Sequence, residues 1–192
     1  DTWTYDGTDW TLATPASAPS PRARCRMVFD AARNVSVLYG GITAGIGSQT
    51  FDDTWEWNGS TWSRANPATT AGPRRSYGMA YDLLRGRVVL HGGIRSGYGA
   101  ERDTWEYDGQ RWTQSIANAG MGPRAGAAMC YHPGLGQTIL FGGVDPLGLA
   151  DLPWGSAAGT CEVRRTSRRR WPRSGPGRPR EWPRPLPRTG FR

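Results

Sequence analysis

Short apolar runs broken by turn residues recur along the first 150 residues. Val35-Ser36-Val37-Leu38-Tyr39, Arg87-Val88-Val89-Leu90-His91 and Gln137-Thr138-Ile139-Leu140-Phe141 are short, β-branched and aromatic, and bounded by turn residues. Such runs predict buried strands. No segment sustains a helical period, so the expectation is an all-β chain. Between the runs one sentence is written three times: Asp1-Thr2-Trp3 through Trp10, Asp53-Thr54-Trp55 through Trp62, and Asp103-Thr104-Trp105 through Trp112. The spacing is 52 residues, then 50. In each copy an Asx-Gly pair (Asp6-Gly7, Asn58-Gly59, Asp108-Gly109) lies between two aromatic strands and predicts a tight hairpin turn. One repeat therefore reads as strand a (Met27 to Asp30), strand b (Val35 to Tyr39), strand c (Thr54 to Trp57) and strand d (Thr61 to Ala65).

A period near 50 marks a stacked or radial repeat. Gly-Gly closes each apolar run at Gly40-Gly41, Gly92-Gly93 and Gly142-Gly143, and Pro-Arg recurs at Pro21-Arg22, Pro73-Arg74 and Pro123-Arg124. An aromatic follows eight residues after each proline: Phe29, Tyr81 and Tyr131. The pattern resembles the kelch repeat, and the central domain of galactose oxidase is similar in kind. The resemblance covers about residues 1–150 and implies a β-propeller of four-stranded antiparallel blades. On that frame the chain divides into a half blade at 1–14, blades at 26–66 and 76–116, and a half blade at 125–143. These make three blade equivalents, and closed propellers need about 4–8. The expectation is a fragment of a larger propeller. Similarity to bacterial envelope kelch-like proteins implies an extracellular, secreted or cell-envelope setting.

Charge changes the picture only at the end of the chain. All 24 basic residues are Arg. Residues 152–192 hold 11 Arg and 2 Glu, or +9, whereas residues 1–151 hold 13 Arg and 14 acids, or −1. The repeat region therefore makes no electrostatic case for nucleic acid. After Gly143 the fourth Asp-Thr-Trp is replaced by Asp151-Leu152-Pro153-Trp154, and the pattern does not resume. Residues 151–192 read as a disordered Arg/Pro-rich tail. Two origins stand. One is a frame shift near Ala150 in a G+C-rich gene. The other is a genuine arm that contacts nucleic acid or anionic membrane, with Trp171 and Trp182 for stacking. No apolar run approaches the ~20 residues of a membrane span. Cys25, Cys130 and Cys161 form no metal-binding motif and read as free buried thiols, a disulfide being the alternative.

No catalytic residue, metal site or cofactor is implied. His91 takes the slot of Tyr39 and Phe141, and His132 that of Asp30 and Asp82, so both read as structural. The copper chemistry of galactose oxidase does not carry over, since no matching set of Tyr, His and Cys is present. Residues that recur in every copy read as scaffold. The glycines Gly40, Gly41, Gly92, Gly93, Gly142 and Gly143 supply positive φ and close approach. Trp3, Trp55, Trp105, Trp10, Trp62 and Trp112 read as blade-to-blade packing, with sugar stacking as the alternative. The recurrent Arg and Asp are expected to pair. A ligand is then sought in the loops that do not repeat, the b–c and d–a connections. The candidates are Gln49, Phe51, Arg95, Tyr98, Glu101 and Arg102. The function expected is a non-catalytic scaffold binding protein or carbohydrate on that face. The alternative is the propeller part of an enzyme whose catalytic residues lie outside this chain.

Overall fold

The computed structural model describes residues 1–95, 99–115 and 121–144. Within them the chain is all-β, without a helix. Two four-stranded antiparallel sheets follow one another. The first holds β3 (Arg26–Asp30), β4 (Val35–Ile42), β5 (Thr50–Trp57) and β6 (Trp62–Ala65) in that spatial order. The second holds β7 (Gly78–Asp82), β8 (Arg87–His91), β11 (Thr104–Tyr107) and β12 (Trp112–Ser115). A two-stranded sheet precedes them, β1 (Thr2–Tyr5) with β2 (Trp10–Ala13), and another follows, β13 (Ala128–His132) with β14 (Gln137–Phe141). The short pair β9 (Ile94–Arg95) and β10 (Gly99–Ala100) extends the second sheet's central hairpin. The Arg/Pro-rich tail expected at 151–192 and the candidate Tyr98 lie outside the described residues.

Alternation decides which way each strand faces. Val37 and Tyr39 of β4 point into the main core with Tyr77, Met79, Val88, Leu90, Tyr107 and Trp112. Leu38, between them, faces the other way and packs with Trp57 and Trp62. The main core therefore lies between the two four-stranded sheets. Its aromatic centre is Tyr39, Trp112 and Tyr107, with Trp112 4.8 Å from Tyr39 and 5.0 Å from Tyr107. Each such ring contributes roughly 1.5–3 kcal/mol by burial.

The repeated motifs make the joints between sheets. Trp62 Nε1 donates to Thr2 Oγ1 at 2.8 Å, and Trp112 Nε1 donates to Thr54 Oγ1 at 3.1 Å. Each strand-d tryptophan thus reaches the strand-c threonine of the preceding sheet. Trp3, Trp55 and Trp105 act differently: each ring N–H stays inside its own sheet and donates to Asp1, Asp53 or Asp103 at 3.0, 2.8 and 2.6 Å. The second glycine of the first two pairs joins neighbours through its backbone. Gly41 N–H donates to the Arg74 carbonyl (3.0 Å) and Gly93 N–H to the Arg124 carbonyl (2.9 Å). A Cβ on Gly40 would lie 2.7 Å from that Arg74 oxygen. Deeper in the stack, Ser76 N–H donates to Arg24 O and Gly126 N–H to Ser76 O, at 2.9 and 2.7 Å. Arg24 and Ser76 accept φ of 56° to make this link.

Two expectations need correction. Gly-Gly does not end strand b in the first sheet. A bulge between Tyr39 and Gly41 absorbs the extra residue, and the ladder runs on through Gly41↔Phe51 and Ile42↔Thr50. Phe51 is therefore a strand residue, and so is Arg95, which pairs with Gly99. The Asx-Gly turns are also wider than two residues, since Trp57 pairs with Trp62 across four. Only glycine takes positive φ there (99°, 100° and 96° at Gly7, Gly59 and Gly109). The Asx oxygen instead accepts two backbone N–H groups, as Asn58 Oδ1 does from Ser60 (3.0 Å) and Thr61 (2.9 Å).

Candidate ligand-binding site

The Pro-Arg arginines build the floor of the face that carries the b–c and d–a connections. Arg22 donates to both carboxylate oxygens of Asp53 (2.5 and 3.0 Å) and to the Gly40 carbonyl (3.0 Å). Arg74 repeats this with Asp103 (2.8 and 3.1 Å) and the Gly92 carbonyl (3.1 Å), and also donates to the Ala71 carbonyl. Arg124 holds the Gly142 carbonyl at 3.2 Å. One guanidinium thus ties the Gly-Gly corner to the Asp-Thr-Trp strand in each four-stranded sheet. Burial alone would raise the Asp53 and Asp103 carboxyls. The arginine and tryptophan hydrogen bonds outweigh it, and both carboxyls sit below the usual 3.8.

Above the first of these pairs lies a recess of about 450 Å³, lined by Gln49, Phe51, Asp52, Trp55, Arg64, Arg22 and Ser20 among others. Gln49 is exposed at the end of a loop closed on itself, with Gln49 N–H donating to Thr43 Oγ1 (2.8 Å) and Thr43 N–H to Gln49 O (3.0 Å). Phe51 lies under the Arg22 guanidinium, 4.1 Å from ring centre to Cζ. Arg64 stands opposite Trp55 across the β5–β6 ladder. Arg22 and Asp53 are spent on each other, while Asp52, Arg64 and Gln49 are exposed at the rim. The recess therefore offers aromatic surface, a carboxylate, a guanidinium and an amide, with no excess of either charge.

The structure divides the sequence candidates into two groups. Gln49 and Phe51 share the recess. Arg95 and Glu101 sit on the second sheet, where they face each other at 3.7 Å. Glu101 occupies there the position of Phe51 in the first sheet, one residue before Arg102, which is exposed. Sequence reasoning missed Asp52, Trp55 and Arg64. Trp55 was absorbed into the repeated scaffold set. A signal for the others existed: Arg64 stands where Leu12 and Gln114 stand in the other copies, and Asp52 where Arg102 stands. Variation at fixed positions of a repeated strand carries the same information as variation in a loop.

The remaining chemistry-bearing residues are held structurally. His91 is 3% exposed, with Nδ1 2.9 Å from Thr104 Oγ1. Burial lowers its pKa below 6.5, and Arg124 and Arg74 lower it further against Asp103. Cys25 and Cys130 carry no disulfide; burial pushes the half-buried Cys25 thiol up, whereas Cys130 is exposed and not buried as expected. Among the described residues no group of three His, Cys, Asp or Glu is placed to hold a metal ion. No helix among them is long and apolar enough to cross a membrane.

No family model matches the chain, and no curated protein matches it. Its fold is similar to that of a solved structure described as "Structure of YjhT", with a TM-score of 0.52 and 15% identity. The match covers 66% of this chain and 46% of that one, so the chain spans less than half of its structural neighbour's length. At that identity the likeness is one of fold.

Proposed function

We propose that this chain is part of a kelch-type β-propeller that binds a carbohydrate, without catalysis, in the recess over the Arg22–Asp53 pair. The observation that carries the reading is the lining of that recess: Phe51 and Trp55 beside Gln49, Asp52 and Arg64. Sugars present apolar C–H faces and rings of hydroxyls. Aromatic surface takes the first, and an amide, a carboxylate and a guanidinium take the second. The balanced charge favours a neutral sugar over an anion. The kelch assignment rests on the recurrence of Gly-Gly, Pro-Arg and Asp-Thr-Trp, together with the propeller-like succession of four-stranded sheets.

The test is calorimetric titration of the chain with a panel of neutral oligosaccharides, followed by Gln49→Ala and Arg64→Ala. Both side chains are exposed at the rim, so neither change disturbs the core. The expected result is saturable binding that each substitution weakens about tenfold, equivalent to ~1.4 kcal/mol, with the melting temperature unchanged. Absence of binding across the panel, or binding that both variants keep at full strength, rejects the reading.

A further inference from the structure

We propose that Asn58 is an acceptor for an N-linked glycan, transferred from an oligosaccharide carried on a lipid diphosphate. One chemical difference sets its turn apart from two sister turns of the same build.

The three Asx-Gly turns share their hydrogen bonds. Asp6 Oδ1 accepts the Thr8 and Asp9 N–H groups at 2.8 and 3.0 Å. Asp108 Oδ1 accepts those of Gln110 and Arg111 at 2.8 and 2.9 Å. Asn58 Oδ1 accepts those of Ser60 and Thr61 at 3.0 and 2.9 Å. The turn thus needs one side-chain oxygen, and aspartate supplies it as well as asparagine does. What Asn58 adds is the amide nitrogen Nδ2, for which the turn has no use and which has no partner among the described residues.

Ser60 gives that nitrogen its chemical setting. Asn58-Gly59-Ser60 matches the Asn-X-Ser acceptor pattern. Ser60 Oγ donates to Asn58 Oδ1 at 3.0 Å, beside the two backbone donors. Three donors on Oδ1 draw electron density out of the amide and make the Nδ2 protons more acidic. In the transfer Nδ2 bonds to sugar C1 as the bond from C1 to the diphosphate oxygen breaks. That electron pair leaves on the phosphate, and one Nδ2 proton passes to a base of the transferring enzyme.

The site is also open. Asn58, Gly59 and Ser60 are all exposed, and a Cβ added at Gly59 would meet nothing within 4 Å. Beneath the turn Trp57 and Trp62 are buried and pair across it, with ring centroids 5.5 Å apart. The tip therefore projects into solvent from a fixed base. The seven residues from Phe51 to Asn58 span about 23 Å of extended chain, so a glycan here leaves Gln49 and Phe51 uncovered.

Asn34-Val35-Ser36 has the same pattern without the geometry. Asp30 fills the acceptor role in that turn, taking the Ala32 and Arg33 N–H groups at 3.1 and 3.2 Å. Ser36 is half-buried in β4, in register with Phe29 on one side and Trp57 on the other. In the folded chain its hydroxyl is held in the ladder instead of closing on Asn34.

The test treats the folded full chain with an oligosaccharyltransferase and a lipid-linked oligosaccharide, beside an unstructured Asn-X-Ser control peptide. Intact mass and glycopeptide mapping are expected to show one glycan per chain, on Asn58. Asn58→Asp, which installs the residue of the sister turns, should abolish the mass gain and leave the melting temperature unchanged. Ser60→Ala should also abolish it, Ser60→Thr should keep it, and Asn34→Asp should have no effect. A folded chain left unmodified while the control peptide is modified overturns the proposal. A glycan found on Asn34, or a Ser60→Ala chain modified as fully as the unaltered one, overturns it as well.

Discussion

Removing the Arg74 guanidinium takes a donor from four acceptors at once: the Asp103 carboxylate, which keeps only the Trp105 ring N–H, and the carbonyls of Gly92, Ala71 and Gly72. The residue is 0% exposed, so water does not replace the lost donors. Breaking a buried pair from one side costs about 3–5 kcal/mol, and Arg74→Ala is expected to lower stability by that amount in urea titration. Arg74→Lys keeps the charge but not the fork, and falls between. The recurrence of Pro-Arg and Asp-Thr-Trp made this pairing legible before any coordinates, whereas the Arg33–Glu56 and Arg85–Glu106 pairs (2.5 and 2.6 Å) went unread. Their third counterpart is Leu135, so the pattern breaks in one copy of three. His91 gives a separate test. Tyr39, in the equivalent slot, donates its hydroxyl to the Gly72 carbonyl at 3.0 Å, while His91 Nε2 is buried without a partner among the described residues. A histidine whose folded pKa lies below its unfolded 6.5 takes up its proton more readily when unfolded. Stability present above pH 6.5 is therefore lost as pH falls from there toward the folded pKa. His91→Tyr removes that loss, and thermal melts at pH 5 and pH 8 should show the variant gaining more at pH 5. Equal gains at both values would count against a buried neutral imidazole.

At the scale of elements the pattern located strand centres well and strand ends badly. Alternation in Val35 to Tyr39 marks the faces, because each side chain there must choose one of two cores. It says nothing of where pairing stops, which depends on a bulge at Gly40 that only the three-dimensional ladder reveals. That glycine has two burdens, a φ of +51° and a neighbour's carbonyl 2.7 Å from any added Cβ. Gly59 has one: φ is +100°, but nothing lies within 4 Å. Replacing each by alanine separates the burdens. Gly59→Ala is expected to cost roughly 1–2 kcal/mol for the left-handed backbone alone. Gly40→Ala should cost clearly more, since the Gly41 to Arg74 hydrogen bond between sheets must also open. Equal losses would mean that the close approach relaxes freely. The recess escaped the sequence for a related reason. Its lining combines a variable loop residue, Gln49, with Asp52 and Arg64 from the edges of repeated strands, and only the fold brings those stretches of chain together.

Stability in the whole molecule should follow the sharing of joints. In stacked repeats each unit gains from its neighbours on both sides. The sheet of β7, β8, β11 and β12 has such neighbours, through Gly41–Arg74 before it and Gly93–Arg124 after it. Val88, Leu90 and Tyr107 of this sheet are 0% exposed. β1–β2 is joined to the next sheet by the Trp62–Thr2 bond, with Trp10 and Leu12 still exposed. Backbone hydrogen exchange is therefore expected to be slower in β8 and β11 than in β1–β2. Trp62→Phe, which keeps the ring and deletes the donor, should speed exchange in β1–β2 while leaving β8 unchanged. A Trp62→Phe variant whose β1–β2 exchange matches that of the unaltered chain would mean that ring packing, and not the donated hydrogen bond, holds the opening strand pair to its neighbour.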